Sequence, residues 1–504
     1  MTRFPLALLL CLFTTPAVAQ PAPRPNVVLM VADDHGREAI GAYGNPIIKT
    51  PNMDQLAKEG TLYASAFCTT ASCSASRSVI LSGLHNHATG QYGHQHTFHH
   101  FAAYSSVKSL PVILTENGYR TARIGKFHVA PDEVFKFETV IPSAQGHRNG
   151  VRMADNCKDF VADKSKPFFL YFCVSDPHRG GGKLKDVPGG PDAFGNEKPY
   201  DGVDEVVYDP AKVVVPAWMP DSPEARAEIA QYYQAISRVD QGLGRLVKLL
   251  KDAGQWENTV FVYTADNGSA MPGSKTTLYD PGMRLPLIVR APGAKAGVTS
   301  EAMVSWVDLT PTILDFAGVK EVLAPPLRQG EAEERGGGGG PGGRGKNGAA
   351  AGKLVPYTFH GRSFRPTLGT GGPAPEGWRE VYASHTFHEI TMYYPMRVIR
   401  TDRYKLIYNV AHQLPFPFAT DLQDSATWQS ALKGGTGAKY GKRTIDAFVN
   451  RPKYELYDLQ TDPDEAVNLA DKPDMRATLG DLSGKLKAFQ EKTKDPWVVK
   501  YEYE

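Results

Sequence analysis

The stretch NVVLMVA, residues 26–32, decides the fold because its apolar residues follow one another without polar alternation. Continuous apolar runs of this length are typical of strands buried on both faces, as in a parallel sheet. Three further runs share the pattern, at residues 167–174, 259–265 and 285–289. Helical patterns separate them; the clearest is predicted to begin after Ser222 as N-cap and to stop at Gly254. The alternation predicts an α/β sandwich.

Polar residues directly follow three of these runs. They are Asp33 and Asp34 after the first, residues 176–179 (DPHR) after the second, and Asp266 with Asn267 after the third. Ligands of open α/β sheets bind beyond the carboxyl ends of strands, so we predict a site there. Asp33, Asp34, Asp266 and Asn267 are hard oxygen donors, which favours Ca²⁺ over zinc or copper. Taken singly, a solvated strand end, a helix cap or a turn also explains each pair.

The run CSASR, residues 73–77, places the thiol of Cys73 before the apolar stretch 79–81, which predicts a nucleophile at the start of a helix. A helix N-terminus offers unpaired amide donors and a partial positive charge, so an anion beside Cys73 is stabilised. Arg77, one turn further on, adds a fixed cation. For this run alone, a buried cysteine in an ordinary strand-to-helix turn is the alternative.

Further basic side chains are candidates for a clamp around an anion: Lys126 and His128 in the run IGKFH, His178 after the second strand, and Lys275. Positioned cations stabilise charge on an oxyanion without having to reorganise. Lys275 alone also fits a solvated surface lysine.

Six of the 14 histidines lie between His85 and His100. Such a cluster is typical of a transition-metal patch, but its spacing does not match the helical i, i+4 pairs of zinc sites. We therefore favour the interpretation that these histidines form a polar wall of a substrate pocket, and the metal patch is the alternative.

The composition and the first residues limit the function classes. With 504 residues, 41% of them hydrophobic, and a formal net charge of +2, the chain is expected to form two domains without a global attraction to nucleic acid or anionic membranes. Residues 1–19 have the pattern of a signal peptide, which predicts a secreted or periplasmic protein. Their apolar run is too short to span a bilayer, and no later run is long enough.

We predict a catalytic domain over residues 20–330 and a C-terminal domain over residues 354–504. The Gly-rich residues 331–353 between them are predicted to be a disordered insertion. Short alternating runs at 404–408 and 454–459 predict a small antiparallel sheet in the second domain. Four cysteines remain after cleavage, and one disulfide among Cys68, Cys157 and Cys173 is left open.

CSASR resembles the signature of the sulfatase family, Cys-x-Pro/Ala-x-Arg, with Ala75 in place of the more usual proline. The resemblance covers nearly the whole mature chain. Runs outside the family core, such as YDPAKVVVP, HEITMYYPMR and KDPWV, are similar to the subgroup that hydrolyses N-sulfoglucosamine. The resemblance implies an alkaline-phosphatase-like α/β sandwich with a large mixed, mostly parallel sheet, and a smaller C-terminal α+β domain that completes the substrate pocket.

The family also implies cofactors. Cys73 would be oxidised by a maturation enzyme to formylglycine, whose hydrate attacks sulfur. Ca²⁺ would be held by five residues: Asp33, Asp34, Cys73, Asp266 and Asn267.

By the same resemblance, Arg77 and Lys126 would stabilise the hydrate, and His178 would protonate the departing nitrogen. His128 would take a proton as sulfate is expelled. Lys275 would bind the sulfuryl oxygens, and the sugar would contact His388, Glu389 and Arg397. An ordinary surface strand is the alternative for those last three residues.

The resemblance thus implies an exported sulfohydrolase that removes the N-linked sulfate from terminal N-sulfoglucosamine of heparan- or heparin-type glycans. Lys275 stands where arginine is expected and Ser175 where histidine is expected, which leaves the choice of substrate open. The alternatives are an O-sulfatase on another sulfated glycan or an aryl sulfate, a phosphoryl or phosphonate hydrolase of the same superfamily, and a sulfated-glycan-binding protein without turnover. The expected partners are a sulfated sugar or glycosaminoglycan fragment and the maturation enzyme, with a homodimer as a candidate assembly.

Overall fold

The computed structural model describes residues 24–143, 146–180, 186–187, 190–327 and 354–503. The predicted signal peptide, residues 1–19, and the Gly-rich insertion, residues 331–353, lie outside the described residues. Both therefore stay predictions, as do the domain boundaries that depend on them.

An eight-stranded sheet forms the centre of the structure. Across the sheet its strands are Val298–Ser300, Thr61–Tyr63, Leu287–Arg290, Thr259–Ala265, Asn26–Ala32, Phe168–Cys173, Arg120–Gly125 and Thr139–Val140. Neighbouring strands are parallel except at Leu287–Arg290, which is antiparallel to both of its neighbours. The predicted mixed, mostly parallel sheet is confirmed. The direction of this one strand was not predicted, because burial on both faces does not reveal strand direction.

The three central strands bring their carboxyl ends to one edge of the sheet. Asn26–Ala32 lies between Phe168–Cys173 and Thr259–Ala265, and all three are parallel. Every residue of these strands is buried, so elements of the fold cover both faces of the sheet. In the register, Ala32 lies opposite Ala265, so the residues that follow these two strands emerge side by side.

Helices pack around this sheet in one continuous hydrophobic core. Among the described residues the α-helices are Pro51–Glu59, Cys73–Ser82, Asn86–Thr89, Leu110–Glu116, Gly150–Asn156, Lys158–Ala162, Pro223–Asp252, Asp280–Met283, Leu309–Phe316, Thr420–Gln423, Ala426–Leu432, Ile445–Val449, Arg476–Lys492 and Lys500–Tyr503. The long helix begins as predicted, since the Ser222 side chain accepts a hydrogen bond from the backbone N–H of Ala225 at 3.2 Å. The apolar residues that recur along one face of this helix are buried: Ile229, Tyr233, Ile236, Leu243, Leu246 and Leu250.

A second sheet contains four antiparallel strands, Glu380–His385, Met396–Thr401, Tyr404–Asn409 and Tyr454–Asp458. This confirms the predicted pairing of the runs at 404–408 and 454–459. The helix Arg476–Lys492 packs Leu482 and Leu486 against this sheet. Short two-stranded ladders complete the β-structure: Ala66–Phe67 with Val304–Ser305, Leu323–Ala324 with Val355–Pro356, Lys439–Tyr440 with Arg443–Thr444, and Asp186–Val187 with Gly190–Pro191.

Buried ion pairs join the two sheets at what we call the junction cluster, made of Asp280, Arg400, Lys405 and Glu465. The Lys405 ammonium lies 3.0 Å from a carboxylate oxygen of Asp280 and 2.7 Å from one of Glu465. The Arg400 guanidinium lies 3.1 Å from Asp280. The cluster fixes the second sheet against the segment that follows Lys275.

Cys68, Cys73, Cys157 and Cys173 all have free, buried thiols, so the structure contains no bridge among these four described cysteines. Within the described part of the chain, we find no helix with both the length and the apolar character needed to cross a membrane.

Candidate active site

Cys73 is the first residue of the helix Cys73–Ser82, as predicted. Its thiol is fully buried and donates to a carboxylate oxygen of Asp34 at 3.6 Å. Burial raises the pKa of the Cys73 thiol well above its ordinary value, although Lys126 acts in the opposite direction. The free thiol therefore stays protonated near neutral pH and is a poor nucleophile as it stands.

The structure brings Asp33, Asp34, Asp266 and Asn267 together at the edge of the sheet. The backbone N–H groups of Asp34 and Asn267 donate to Oδ1 of Asp266 at 3.0 Å and 2.9 Å. Nδ2 of Asn267 donates to Oδ1 of Asp34 at 2.7 Å. Asp34 has a φ of 63°, a backbone conformation that non-glycine residues adopt mainly at constrained sites. The geometry joins the ends of two neighbouring strands into one cluster of oxygen donors.

These residues fit a divalent cation. Oδ1 of Asp33 and Oδ1 of Asn267 are buried and accept no hydrogen bond. Asp33, Cys73 and Asp266 each present a ligand atom, and these atoms lie within 4.8 Å of one another. Burial, together with the charges of Asp33 and Asp34, raises the pKa of Asp266 to about 7 against the effect of Arg77. A bound cation would satisfy the unpaired oxygens and offset this crowding of carboxylates.

Arg77 and Lys126 face the same carboxylates. Nε and one terminal nitrogen of Arg77 each lie 2.9 Å from Oδ2 of Asp266. Nζ of Lys126 lies 2.5 Å from Oδ2 of Asp33. Burial disfavours the charge on Lys126, but Asp33, Cys73 and Asp266 together outweigh burial and raise the pKa of the ammonium. Both cations therefore stay charged beside Cys73.

Lys275 is buried, which excludes the alternative of a solvated surface lysine. Its ammonium lies 2.9 Å from both Asp34 and Asp421, and 3.1 Å from Nε2 of His178. The other ring nitrogen of His178 contacts the backbone carbonyl of Arg179. Burial raises the pKa of Asp421, but Lys275, His178 and Arg179 together outweigh burial and lower that pKa to about 2. Lys275 thus joins Asp421 and the ring of His178 to Asp34, whereas Lys126 pairs with Asp33.

Sequence reasoning missed Asp421. It lies in the short helix Thr420–Gln423, 146 residues after its partner Lys275, and neither a motif nor a strand end precedes it. A weak signal was its position in the segment after the predicted sugar-contacting residues.

The histidine-rich loop divides into two groups. His85 and His87 stack on each other and pack against Phe489, away from the carboxylates. His94, His96 and His99 instead line the cavity described below. The preferred interpretation, that these histidines form a wall of the substrate pocket, therefore fits His94, His96 and His99 and is wrong for His85 and His87.

A cavity of about 1030 Å³ opens above Asp33 and Lys126. His388 and Glu389 line it, as expected for sugar-contacting residues. Its wall is rich in imidazoles, from His94, His96, His99, His128, His147, His178 and His388. Such a wall offers hydrogen-bond donors and acceptors to hydroxyl and sulfate groups.

The structure does not bring Arg397 to this cavity. Its guanidinium is fully buried and forms an ion pair with Asp495, with one nitrogen 2.9 Å from Oδ1. Another nitrogen donates to the carbonyl of His385 at 3.0 Å. The expectation that Arg397 contacts the sugar is therefore corrected: the side chain supports the strand that leads to His388.

Comparisons with known proteins agree with this geometry. A family model described as Sulfatase matches residues 25–319. N-sulphoglucosamine sulphohydrolase of Homo sapiens is 36% identical to this chain, and the match covers 94% of this chain and 91% of the human protein. N-acetylglucosamine-6-O-sulfatase of Bacteroides thetaiotaomicron is 24% identical, with coverages of 94% and 87%.

Among solved structures, a protein in complex with its substrate D-glucosamine-2-N,6-O-disulfate matches with a TM-score of 0.63 at 23% identity. The match covers 94% of this chain and 98% of the other. It confirms the alkaline-phosphatase-like sandwich that the resemblance implied.

Proposed function

Since the chain belongs to the sulfatase family and hydrolyses sulfate esters or sulfamates, we propose that it removes the N-linked sulfate from terminal N-sulfoglucosamine of heparan- or heparin-type glycans. The observation that carries the proposal is that Cys73 and a cluster of buried oxygen donors lie together beside one cavity. Asp33, the half-buried Lys126 and the buried Lys275 line this cavity. The 36% identity to the human N-sulphoglucosamine sulphohydrolase supports the sulfamate over an ester.

The proposal includes two groups that the chain would acquire. Asp33, Asp34, Asp266 and Asn267, with the oxidised residue 73, would hold Ca²⁺, which the unpaired oxygens of Asp33 and Asn267 support. A maturation enzyme would oxidise Cys73 to formylglycine. Because the buried thiol stays protonated and is a poor nucleophile, this oxidation is the proposed route to a strong nucleophile. When present, the cation supplies positive charge and the oxidised side chain supplies an oxygen nucleophile.

The chain's own residues then position and neutralise the substrate. Arg77 and Lys126 hold the carboxylates beside residue 73 and offset negative charge on the attacking oxygen. Lys275 lies on the opposite side, where its ammonium can bind a sulfuryl oxygen. These cations are already in place before the reaction, so they need no reorganisation as charge develops.

Two histidines would move the protons. Hydrolysis breaks the bond between sulfur and nitrogen, and the departing amine needs a proton. In the structure Nε2 of His178 accepts from the Lys275 ammonium at 3.1 Å, so His178 would deliver this proton from Nε2 after taking it up there. His128, in the same cavity, would accept the proton released when sulfate leaves residue 73. Glu389, on the cavity wall, would bind sugar hydroxyl groups, and His388 beside it would do so by exchanging its contact with His94 or Ser72.

The location of the enzyme is also a proposal. The signal pattern at residues 1–19 supports export to the periplasm or the medium. Ala75 in the signature would require a maturation enzyme that accepts alanine at this position.

The test is an assay of the matured enzyme on N-sulfoglucosamine and on glucosamine 6-sulfate, with mass spectrometry of the Cys73 peptide in the same preparation. We expect an aldehyde at residue 73 and faster sulfate release from the N-sulfated sugar. Equal or faster release from the 6-sulfate would reject the N-specific proposal. It would favour an O-sulfatase, the alternative that the 24%-identical 6-O-sulfatase supports. A phosphonate monoester as third substrate tests the remaining hydrolase class.

A further inference from the structure

We propose that the imidazole triad of His94, His96 and His128 binds a transition-metal dication, Zn²⁺ above all, at the wall of the cavity. Each of the three rings presents a nitrogen, and these nitrogens lie within 4.8 Å of one another. This site would be separate from the calcium site, whose ligands are oxygen atoms and residue 73. Imidazole is a ligand that zinc, copper and nickel prefer, whereas calcium prefers oxygen.

The contacts within the triad are poor hydrogen bonds but suit a shared cation. Nε2 of His128 lies 2.6 Å from Nδ1 of His96 and 3.0 Å from Nδ1 of His94. A ring nitrogen carries either one lone pair or one N–H, so Nε2 cannot make two good hydrogen bonds. Zn–N bonds of about 2.0–2.1 Å in a tetrahedral site place ligand nitrogens about 3.3 Å apart. The two separations of 2.6 Å and 3.0 Å would each have to widen by less than about 1 Å to reach this spacing.

A second hydrogen-bond chain orients His94 as a ligand. Nε2 of His94 lies 2.9 Å from Nε2 of His388, and Nδ1 of His388 lies 3.0 Å from the hydroxyl of Ser72. If Nε2 of His94 carries the proton and donates to His388, Nδ1 of His94 has its lone pair free for a metal. His388 then donates from Nδ1 to Ser72. Ligating histidines usually donate their other N–H in this way, which fixes the tautomer.

The surroundings allow entry and an open coordination position. His94 is buried, while His96 is exposed, so a metal ion can reach the triad from solvent. The fourth position would face the cavity that all three histidines line. Lys126 lies nearby, but its ammonium is held 2.5 Å from Asp33. This positive charge weakens cation binding without preventing it, so we expect micromolar rather than structural affinity.

The site would make the enzyme sensitive to zinc, a consequence that rests on the proposed function of His128. Coordination occupies Nε2 of His128, so this nitrogen could no longer accept a proton. Zn²⁺ would then inhibit turnover, and removal of Zn²⁺ with the calcium site filled would restore it. Binding of the metal itself does not depend on that function.

The test measures binding directly on the full-length protein, which is stripped of metals and then supplied with Ca²⁺. Zn²⁺ is titrated by calorimetry, and Co²⁺ is titrated by absorption, since tetrahedral Co²⁺ has intense visible bands. We compare the wild type with His96→Ala and with His100→Ala, an exposed histidine of the same loop that is outside the triad. Thermal melting checks that both variants fold.

We expect one Zn²⁺ per chain in the wild type and in His100→Ala. In His96→Ala the affinity should fall more than about 100-fold, because loss of even an outer-shell partner costs 10–100-fold. The affinity of His388→Gln, which changes the hydrogen-bond partner of His94 and none of the three proposed ligands, should fall less. The proposal is overturned if the wild type binds no Zn²⁺ at micromolar concentration, or if His96→Ala binds as the wild type does. Since these outcomes need no turnover, they are independent of the proposed substrate.

Discussion

Two of the buried charge clusters in the described part of the chain differ in their charge balance and in their access to a cavity. The first, which we call the edge cluster, lies at the carboxyl ends of the central strands and has four carboxylates, Asp33, Asp34, Asp266 and Asp421, against three cations, Arg77, Lys126 and Lys275. In the junction cluster, Asp280 and Glu465 face Lys405 and Arg400. The edge cluster has a surplus of negative charge, and the junction cluster does not.

This difference distinguishes a binding site from a structural network of ion pairs. The edge cluster keeps oxygens of Asp33 and Asn267 without hydrogen bonds and borders a cavity of about 1030 Å³. In the junction cluster, Lys405 and Glu465 are sealed from solvent and pair with each other. Changes in the edge cluster should therefore affect turnover, and changes in the junction cluster should affect stability.

The largest effect should come from Cys73→Ala. Without residue 73 as nucleophile, turnover of N-sulfoglucosamine should fall at least about 10⁴-fold, as expected when a covalent nucleophile is removed. Stability should change little, because the substitution removes one sulfur atom from the edge of the core. Sulfate release and thermal melting, both compared with the wild type, check this.

Cys68→Ala is the matched control, since Cys68 is also a buried free thiol of the same segment. It should keep its activity per folded molecule. A Cys73→Ala variant that retains more than a few per cent of wild-type turnover would remove residue 73 from the mechanism.

Asp280→Asn, in contrast, should lower the stability and leave turnover nearly unchanged. It leaves Lys405 and Arg400 buried with one carboxylate fewer, and breaking a buried ion pair costs about 3–5 kcal/mol. Turnover per folded molecule should stay close to that of the wild type. Denaturant unfolding followed by circular dichroism measures the stability.

Burial raises the pKa of Asp280, but Arg400 and Lys405 outweigh burial and hold it far below its ordinary value of 3.8. The stabilisation from Asp280 is therefore present above pH 3.8 and is lost as the pH falls below it. The variant should show a weaker loss of stability in acid than the wild type. A parallel loss in both proteins would show that this ion pair is not what links stability to pH.

The two clusters also differ in how far the sequence predicts them. Three members of the edge cluster, Asp33, Asp34 and Asp266, directly follow apolar runs that are typical of buried strands, so the strand-end rule placed them together. Asp280 and Lys405 carry no such mark, because their pairing depends on how the two sheets dock. The central strands and the long helix were predictable for the same reason, as their patterns are local.

Long-range pairing explains the errors. Arg397 was expected at the sugar, but its partner Asp495 lies 98 residues further along the chain and holds it in the core. Asp421 was missed because only the folded chain brings it to Lys275. Periodicity and turn signals describe neighbours along the chain, so they carry no information on such contacts.

His178→Gln should give a smaller loss than Cys73→Ala, and one that depends on the leaving group. With N-sulfoglucosamine, kcat/KM should fall about 100-fold, the lower range for loss of a general acid. With an activated aryl sulfate, whose phenolate leaves without a proton, the loss should be less than about tenfold. His147→Gln, another imidazole of the cavity, is the control and should not distinguish the substrates. Equal losses on both substrates would assign His178 to binding instead.

Asp421→Asn should give the smallest effect, with kcat and KM moving differently. In the wild type the Lys275 ammonium is shared between two carboxylates, at 2.9 Å from both Asp421 and Asp34. Asparagine at position 421 keeps the shape of the side chain but removes its charge. Lys275 should then shift towards Asp34 and away from the sulfuryl group.

A misplacement approaching 1 Å can cost 10²-fold, so a partial shift should lower kcat about tenfold. KM should stay equal or fall, because a negative charge has left a cavity that binds an anionic substrate. Asp424→Asn is the control. Asp424 lines the same cavity, but among the described residues it does not contact Lys275, so this substitution should leave kcat unchanged. A rise in KM at constant kcat would mean that Asp421 contacts the sugar directly, and the edge cluster would then extend into substrate recognition.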